Sequence, residues 1–170
     1  MPEPDHQIVM DTSPLLALCA ACGDFAVLRR VYESAIVPCE VVEEILRGGP
    51  SGFARAEFRA DHWLEKVTSP TTVAPFLLNA VDSGEAAVIQ LALDRGIGRV
   101  AIDDRNGRRT ARACGLSVTG SLGILVKAKA LGHPLGIREA VSRMQARGIW
   151  LADDVAAEAI RLAGESTTSS

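Results

Sequence analysis

The acids Asp11, Glu44, Glu85, Asp103 and Asp104, with the arginines Arg105, Arg108, Arg109 and Arg112, are the side chains whose types and spacing suit one chemistry. Around residues 100–109 an apolar run, Val100-Ala101-Ile102, stops on Asp103-Asp104 and passes at once into an arginine-rich stretch. Carboxylates gathered at one point repel one another. A hard divalent cation such as Mg²⁺ or Mn²⁺ relieves that repulsion and bridges to substrate phosphates. One or two such ions activate water and neutralise charge on a phosphodiester during in-line displacement. The arginines fall at i, i+3, i+4 and i+7 and share one helix face, and guanidinium groups grip phosphate bidentately. A nucleic-acid backbone laid along that stripe would reach the acids, with Lys127 and Lys129 extending the patch. No base-reading motif or aromatic stacking platform accompanies it. An acidic set without histidine or cysteine argues against zinc.

Each of these residues also has a plainer reading. Asp82-x-x-Glu85 fits a helix capping box. Glu43 and Glu44 complement the positive end of a helix dipole. Asp103 and Asp104 suit an Asx-turn or an N-cap, Asp11 suits a turn before an N-cap at Ser13, and the arginines suit a solvated helix face. Separate coincidences would then have to put every acid at one edge of the fold, where a metal site is a single cause.

The elements that must position them follow from the order of the chain. At 170 residues it is long enough for one domain with a sizeable core. Hydrophobic residues make up 48% and aromatics only 4%, so the core is built from Leu, Val, Ile and Ala. Short apolar runs of strand type are expected at residues 8–10, 35–37, 63–67, 100–102 and 116–118. Helices are expected between and after them: from Ser13 and Pro14 to Cys22, Phe25–Tyr32, Cys39–Arg47, Phe53–Ala60, Phe76–Val81, from Asp82 to Asp94 with a stop at Gly96, Asn106–Cys114, Leu122–Leu131, Ile137–Ala146 and Asp153–Ala163. A break is expected at Gly48–Gly52 and a disordered tail at 166–170. Strands alternating with helices predict an α/β fold, a mostly parallel sheet covered on both faces. Right-handed crossovers bring the strand exits to one edge, where ligands bind. Asp11 ends the first strand, Asp103 and Asp104 end the fourth, and Glu44 and Glu85 lie in early helix turns, so all can meet there.

The net charge of −3 confines any nucleic-acid binding to a local patch. The polar, acidic start does not read as a signal peptide, and the longest apolar run, Leu15–Cys22, is too short to cross a bilayer. A cytoplasmic protein is expected. Cys19 and Cys22 form a C-x-x-C, but with no second pair and scattered histidines the cysteines read as core packing.

The segments IVMDTSPLLAL, AIVPCEVVEEIL, DSGEAAVIQLAL and VAIDDRNGRRTARACGLSVTGSLGILVKAKALG resemble PIN-domain nucleases over residues 7–132. The last is similar to a prokaryotic subfamily like the VapC-type toxins. The motifs are short, and their order and spacing carry the resemblance. It implies a three-layer α/β/α sandwich with about five strands, forming a single domain over 1–165 with C-terminal helices at 133–164. It also implies metal-dependent RNA hydrolysis. It maps the family acids onto Asp11 (with the hydroxyl of Thr12 or Ser13 beside it), Glu44, Glu85 and the Asp103–Asp104 pair, favouring Asp104. Direct metal contact is expected from Asp11 and Asp104, with Glu85 and Glu44 holding waters or a second ion. Arg105, Arg108, Arg109 and Arg112 would orient the RNA backbone. The resemblance further implies an antitoxin partner and a homodimer. The rival readings are a non-catalytic RNA-binding or assembly module with the same fold, and a phosphoryl-transfer or receiver-like module. The latter lacks the D-x-D or the paired acids its site requires at Asp11.

Overall fold

A computed structural model of the protein describes residues 6–48 and 52–166. Of the expected break and tail, residues 49–51 and 167–170 lie outside the described residues. Strands β1 (Gln7–Met10), β2 (Ser34–Val37), β3 (Glu65–Lys66), β4 (Arg99–Ala101) and β5 (Ser117–Thr119) form one sheet in the order β3-β2-β1-β4-β5. Every pairing is parallel. The helices are α1 (Thr12–Cys22), α2 (Ala26–Val31), α3 (Cys39–Arg47), α4 (Arg55–Ala60), α5 (Pro75–Ala80), α6 (Ser83–Arg95), α7 (Arg105–Ala113), α8 (Ser121–Ala130), α9 (Ile137–Ala146) and α10 (Asp153–Leu162).

β1 lies in the middle because both its edges are paired and both its faces are covered, and Ile8, Val9 and Met10 are fully buried. A strand buried on both faces reads as an unbroken apolar run rather than an alternation. β3 is the outer strand on one side and shrinks to two residues against the expected 63–67. The Asp61 carboxylate accepts from the Trp63 and Leu64 amides at 2.9 and 3.0 Å, which takes those groups away from any ladder.

α1, α2, α8, α9 and α10 pack together as one helical layer, and α5, α6 and α7 form another; α3 touches both α1 and α6. α6 packs against α3, α5, α7, β1 and β4, which explains an apolar composition nearly all round it. It opens with the Asp82–Glu85 capping box and ends on Gly96 in a left-handed conformation, as expected.

One boundary differs in a way that matters. α1 begins at Thr12, and its N-cap is Asp11 rather than Ser13. Pro14 then sits inside the first turn, where backbone N–H groups have no intrahelical acceptor and a missing donor costs nothing. Among the described residues no helix is long and apolar enough to cross a membrane.

Candidate active site

The strand order reverses direction between β1 and β4, the topological switch point at which open parallel sheets bind ligands. Asp11 leaves β1 there, and the Asp103–Asp104 pair follows β4. The Asp11 amide donates to the Ala101 carbonyl at 3.1 Å, tying the two strand exits together.

Glu44 comes from the second turn of α3 and is held by the Thr12 hydroxyl, which donates to its Oε2 at 2.8 Å. Gly84, in the first turn of α6, marks where the acids close in. A methyl carbon placed on it would lie 3.2 Å from Glu44 Oε2 and 3.5 Å from both Asp11 Oδ1 and Asp82 Oδ1. Glu85, the next residue and 4% exposed, is close enough to Asp11 to raise its pKa by charge. Its amide donates to Asp82 Oδ1 at 2.8 Å, and its Oε2 accepts from the Asp82 amide at 3.3 Å. Asp104 caps α7 through the Gly107 amide at 2.9 Å and is near enough to Glu85 to raise its pKa by charge and by a side-chain hydrogen bond. Asp82, Asp104 and Asp11 are thus the N-caps of α6, α7 and α1. Three helix N-termini point their partial positive charge at one acidic patch, which offsets part of its repulsion. Asp82 and Asp104 spend an oxygen on capping; Asp11 makes no capping bond from its side chain.

Electrostatics record the crowding. Burial pushes the Asp11 carboxyl up to about 7, with further increments from Glu85, Asp82 and Glu44, against the lowering effect of the Thr12 amide. Burial first, then Asp82 and Asp104, push Glu85 up to about 7. Both acids therefore hold their protons to near neutrality. The donor chemistry is oxygen only, as a hard divalent ion requires. Among the described residues no three His, Cys, Asp or Glu side chains stand together in a ready-made ligand arrangement. The fit lies in charge and donor type, and the ion would have to draw the side chains in.

The geometry separates the two adjacent aspartates. Asp104 faces Glu85, whereas Asp103 Oδ1 accepts from the Ser121 amide at 2.8 Å and lies beside Arg108. Burial raises the Asp103 pKa, against the Ser121 bonds and Arg108. The arginine stripe also divides. Arg105, Arg109 and Arg112 are exposed, while Arg108 is half-buried and donates from Nη1 to the Ile102 carbonyl at 2.9 Å. Burial and Arg112 lower the Arg108 pKa against the pull of Asp103. Thr12 supports Glu44, and Ser13 is exposed. Lys129 is paired with Glu165 at 2.6 Å, and the Lys127 ammonium lies 5.9 Å from the Tyr32 ring centroid, so each is already engaged outside the acidic patch. Cys19 and Cys22 are free, and burial pushes their thiols up to about 12 and 11, which suits packing rather than thiolate chemistry.

The member missed from sequence is Asp82. Its D-x-x-E spacing reads as a cap, which it is, and only the approach of α3 and β1 adds it to the acids. Gly107 is the other, since a β-carbon there would lie 2.7 Å from Glu85 Oε1 and 2.9 Å from Ile102 Cγ2. Glu85 is buried and cannot swing clear. Gly107→Ala is therefore expected to destabilise the protein by about 1–3 kcal/mol, the usual cost of overpacking, despite the better helix propensity of alanine. Urea denaturation of the two proteins checks it; an unchanged midpoint would show that Glu85 has room.

A parallel sheet with acids gathered at its switch point defines an open α/β protein whose ligand-binding edge is acidic. Within that class, the family model described as a PIN domain matches residues 7–165, and the chain belongs to this nuclease family. The match runs through α9 and α10, beyond the 7–132 covered by the motifs. No curated protein and no solved structure matches the chain.

Proposed function

We propose that the protein is a Mg²⁺- or Mn²⁺-dependent endoribonuclease. The observation that carries this reading is the meeting of Asp11, Glu44 and Asp82 over Gly84, with Glu85 and Asp104 next to them. Asp11, Glu85 and Asp104 would hold the ion, with Glu44 and Asp82 behind them. When bound, it neutralises phosphodiester charge and activates water. The Thr12 hydroxyl orients Glu44, and exposed Arg105, Arg109 and Arg112 offer planar donors to phosphates of the backbone. Because Asp11 and Glu85 titrate near 7, protons compete with the ion, and its affinity is expected to rise as pH climbs through that value.

The test is cleavage of single-stranded RNA with Mn²⁺, in EDTA, and with Mn²⁺ restored. Cleavage that persists in EDTA removes the metal from the mechanism. RNA binding with no cleavage under any of these conditions favours a non-catalytic RNA-binding module instead. The role of toxin, with a small antitoxin as partner, a homodimer as working form and the cytoplasm as location, rests on the resemblance to VapC-type proteins. A small neighbouring reading frame whose product blocks the cleavage would support it; a neighbour without effect counts against it.

A further inference from the structure

A second site opens at the exit of β5, on the other side of Asp103 from the acidic patch. A cavity of about 510 Å³ has Asp103 and Arg108 in its lining together with a mostly apolar set that includes Leu122, Ile149, Trp150 and Leu151. Gly120 makes room for it, since a β-carbon there would lie 2.7 Å from Asp103 Oδ1 and 2.9 Å from Arg108 Nη1. Trp150, in the loop between α9 and α10, is 85% exposed, by far the most exposed of the large apolar side chains named among the described residues. An indole left in water beside a cavity whose lining holds a guanidinium and a carboxylate is unusual for a fold with so few aromatics.

We propose that this cavity is a nucleotide subsite in which one unpaired base of a single-stranded RNA stacks on Trp150 while its phosphate meets Arg108. The inference rests on the nuclease reading of the neighbouring acids and adds where the strand runs. β4 and β5 are adjacent and β1 is one strand further, so the cavity is about two strand spacings, roughly 10 Å, from Asp11. One or two nucleotides span that distance. The Asp103 carboxylate repels phosphate and accepts from base N–H groups, so it turns the base inward. Arg108 has donors beyond the one given to Ile102. The exposed Arg105, Arg109 and Arg112 continue from Arg108 along α7, a track for the backbone. A guanidinium and a carboxylate in the lining suit a charged, hydrogen-bonding occupant such as a nucleotide better than the apolar face of a helix.

The protein has two tryptophans, so Trp63→Phe leaves Trp150 as the sole indole reporter. The experiment uses the full chain carrying Trp63→Phe and Asp11→Asn, in EDTA, titrated with a short fluorescently labelled single-stranded oligoribonucleotide. Indole emission and the anisotropy of the RNA are followed together. Quenching of Trp150 with the same midpoint as the anisotropy is expected. Adding Trp150→Ala should weaken binding by about 5- to 150-fold, the range for loss of one base–aromatic stack, and Trp150→Phe should restore most of it. Binding with unchanged emission and an unchanged Kd for Trp150→Ala overturns the subsite, as does no RNA binding at all. Emission that responds to protein concentration and not to RNA overturns it in favour of a protein-docking surface. The two readings fail separately. Quenching without cleavage by the Trp63→Phe parent under Mn²⁺ sinks the nuclease, and cleavage with a KM untouched by Trp150→Ala sinks the subsite.

Discussion

Asp11→Asn is expected to lower Mn²⁺-dependent RNA cleavage by about 10²–10⁴-fold, the loss typical of removing one positioned group from a polar active centre. The amide keeps the size of the carboxyl, and the backbone bond from Asp11 to Ala101 does not involve the side chain. The fold should survive, and the loss should fall on kcat. The geometry also ranks the neighbours. Glu85→Gln and Asp104→Asn should follow Asp11→Asn closely, since those carboxyls adjoin within the cluster. Asp103→Asn should cost less and act more on KM, because Asp103 faces Ser121 and Arg108. Steady-state kinetics on the four variants decides it. Equal, metal-independent cleavage by Asp11→Asn and the parent would falsify the mechanism, and an Asp103 variant as crippled as Asp104 would reverse the assignment of the pair.

The same substitution is expected to make the protein more stable above neutral pH. An unfolded Asp11 ionises near 3.8, whereas the folded carboxyl, buried among like charges, is pushed up to about 7. Between those values the native state holds more protons than the unfolded state, so stability falls as pH rises across the window and levels off above it. Glu85 adds to the fall between 4.5 and about 7. A shift of this size in a group only 6% exposed corresponds to roughly 4 kcal/mol at pH 8. The two acids share one repulsion, so their effects will not add. Asp11→Asn should therefore raise the Tm at pH 8, leave it unchanged near pH 3.5, and flatten the profile between. Mn²⁺ should stabilise the parent at pH 8 by binding the native state, and Asp11→Asn should lose most of that response. Thermal unfolding across pH, with and without the ion, reads both effects. A variant less stable than its parent at pH 8 would mean that the acids are not in conflict.

Much of this was open to reading from the chain because it rests on local chemistry. The run Ile8-Val9-Met10, the box Asp82-x-x-Glu85, the stop at Gly96 and the helix Ile137–Ala146 are set by periodicity, capping and backbone freedom, which neighbours along the chain supply. The alternation of strands with helices follows from them, and with right-handed crossovers it places the strand exits on one edge. That route brings Asp11, Glu44 and the Asp103–Asp104 pair to one edge as candidates, and Glu85, which follows a helix rather than a strand, joins them less directly.

The tertiary structure decided what depends on direction rather than position. Asp103 and Asp104 differ by one residue, and the turn out of β4 sends one toward Ser121 and the other toward Glu85. Ser13 and Asp11 compete for one cap, and the choice turns on where Asp11 pairs with Ala101 of β4, a contact far along the chain. Arg108 parts from a stripe of identical residues because its turn of α7 lies over Ile102. Trp150 carries no spacing signal at all, and only the packing of α10 against α8 and α9 sets its loop beside the exit of β5. Sequence alone determined which residue types arrive at the sheet edge, since that is fixed by local propensity and chain order. Which of them face one another was left to packing, because a side chain's direction depends on contacts between segments that sequence neighbours do not specify.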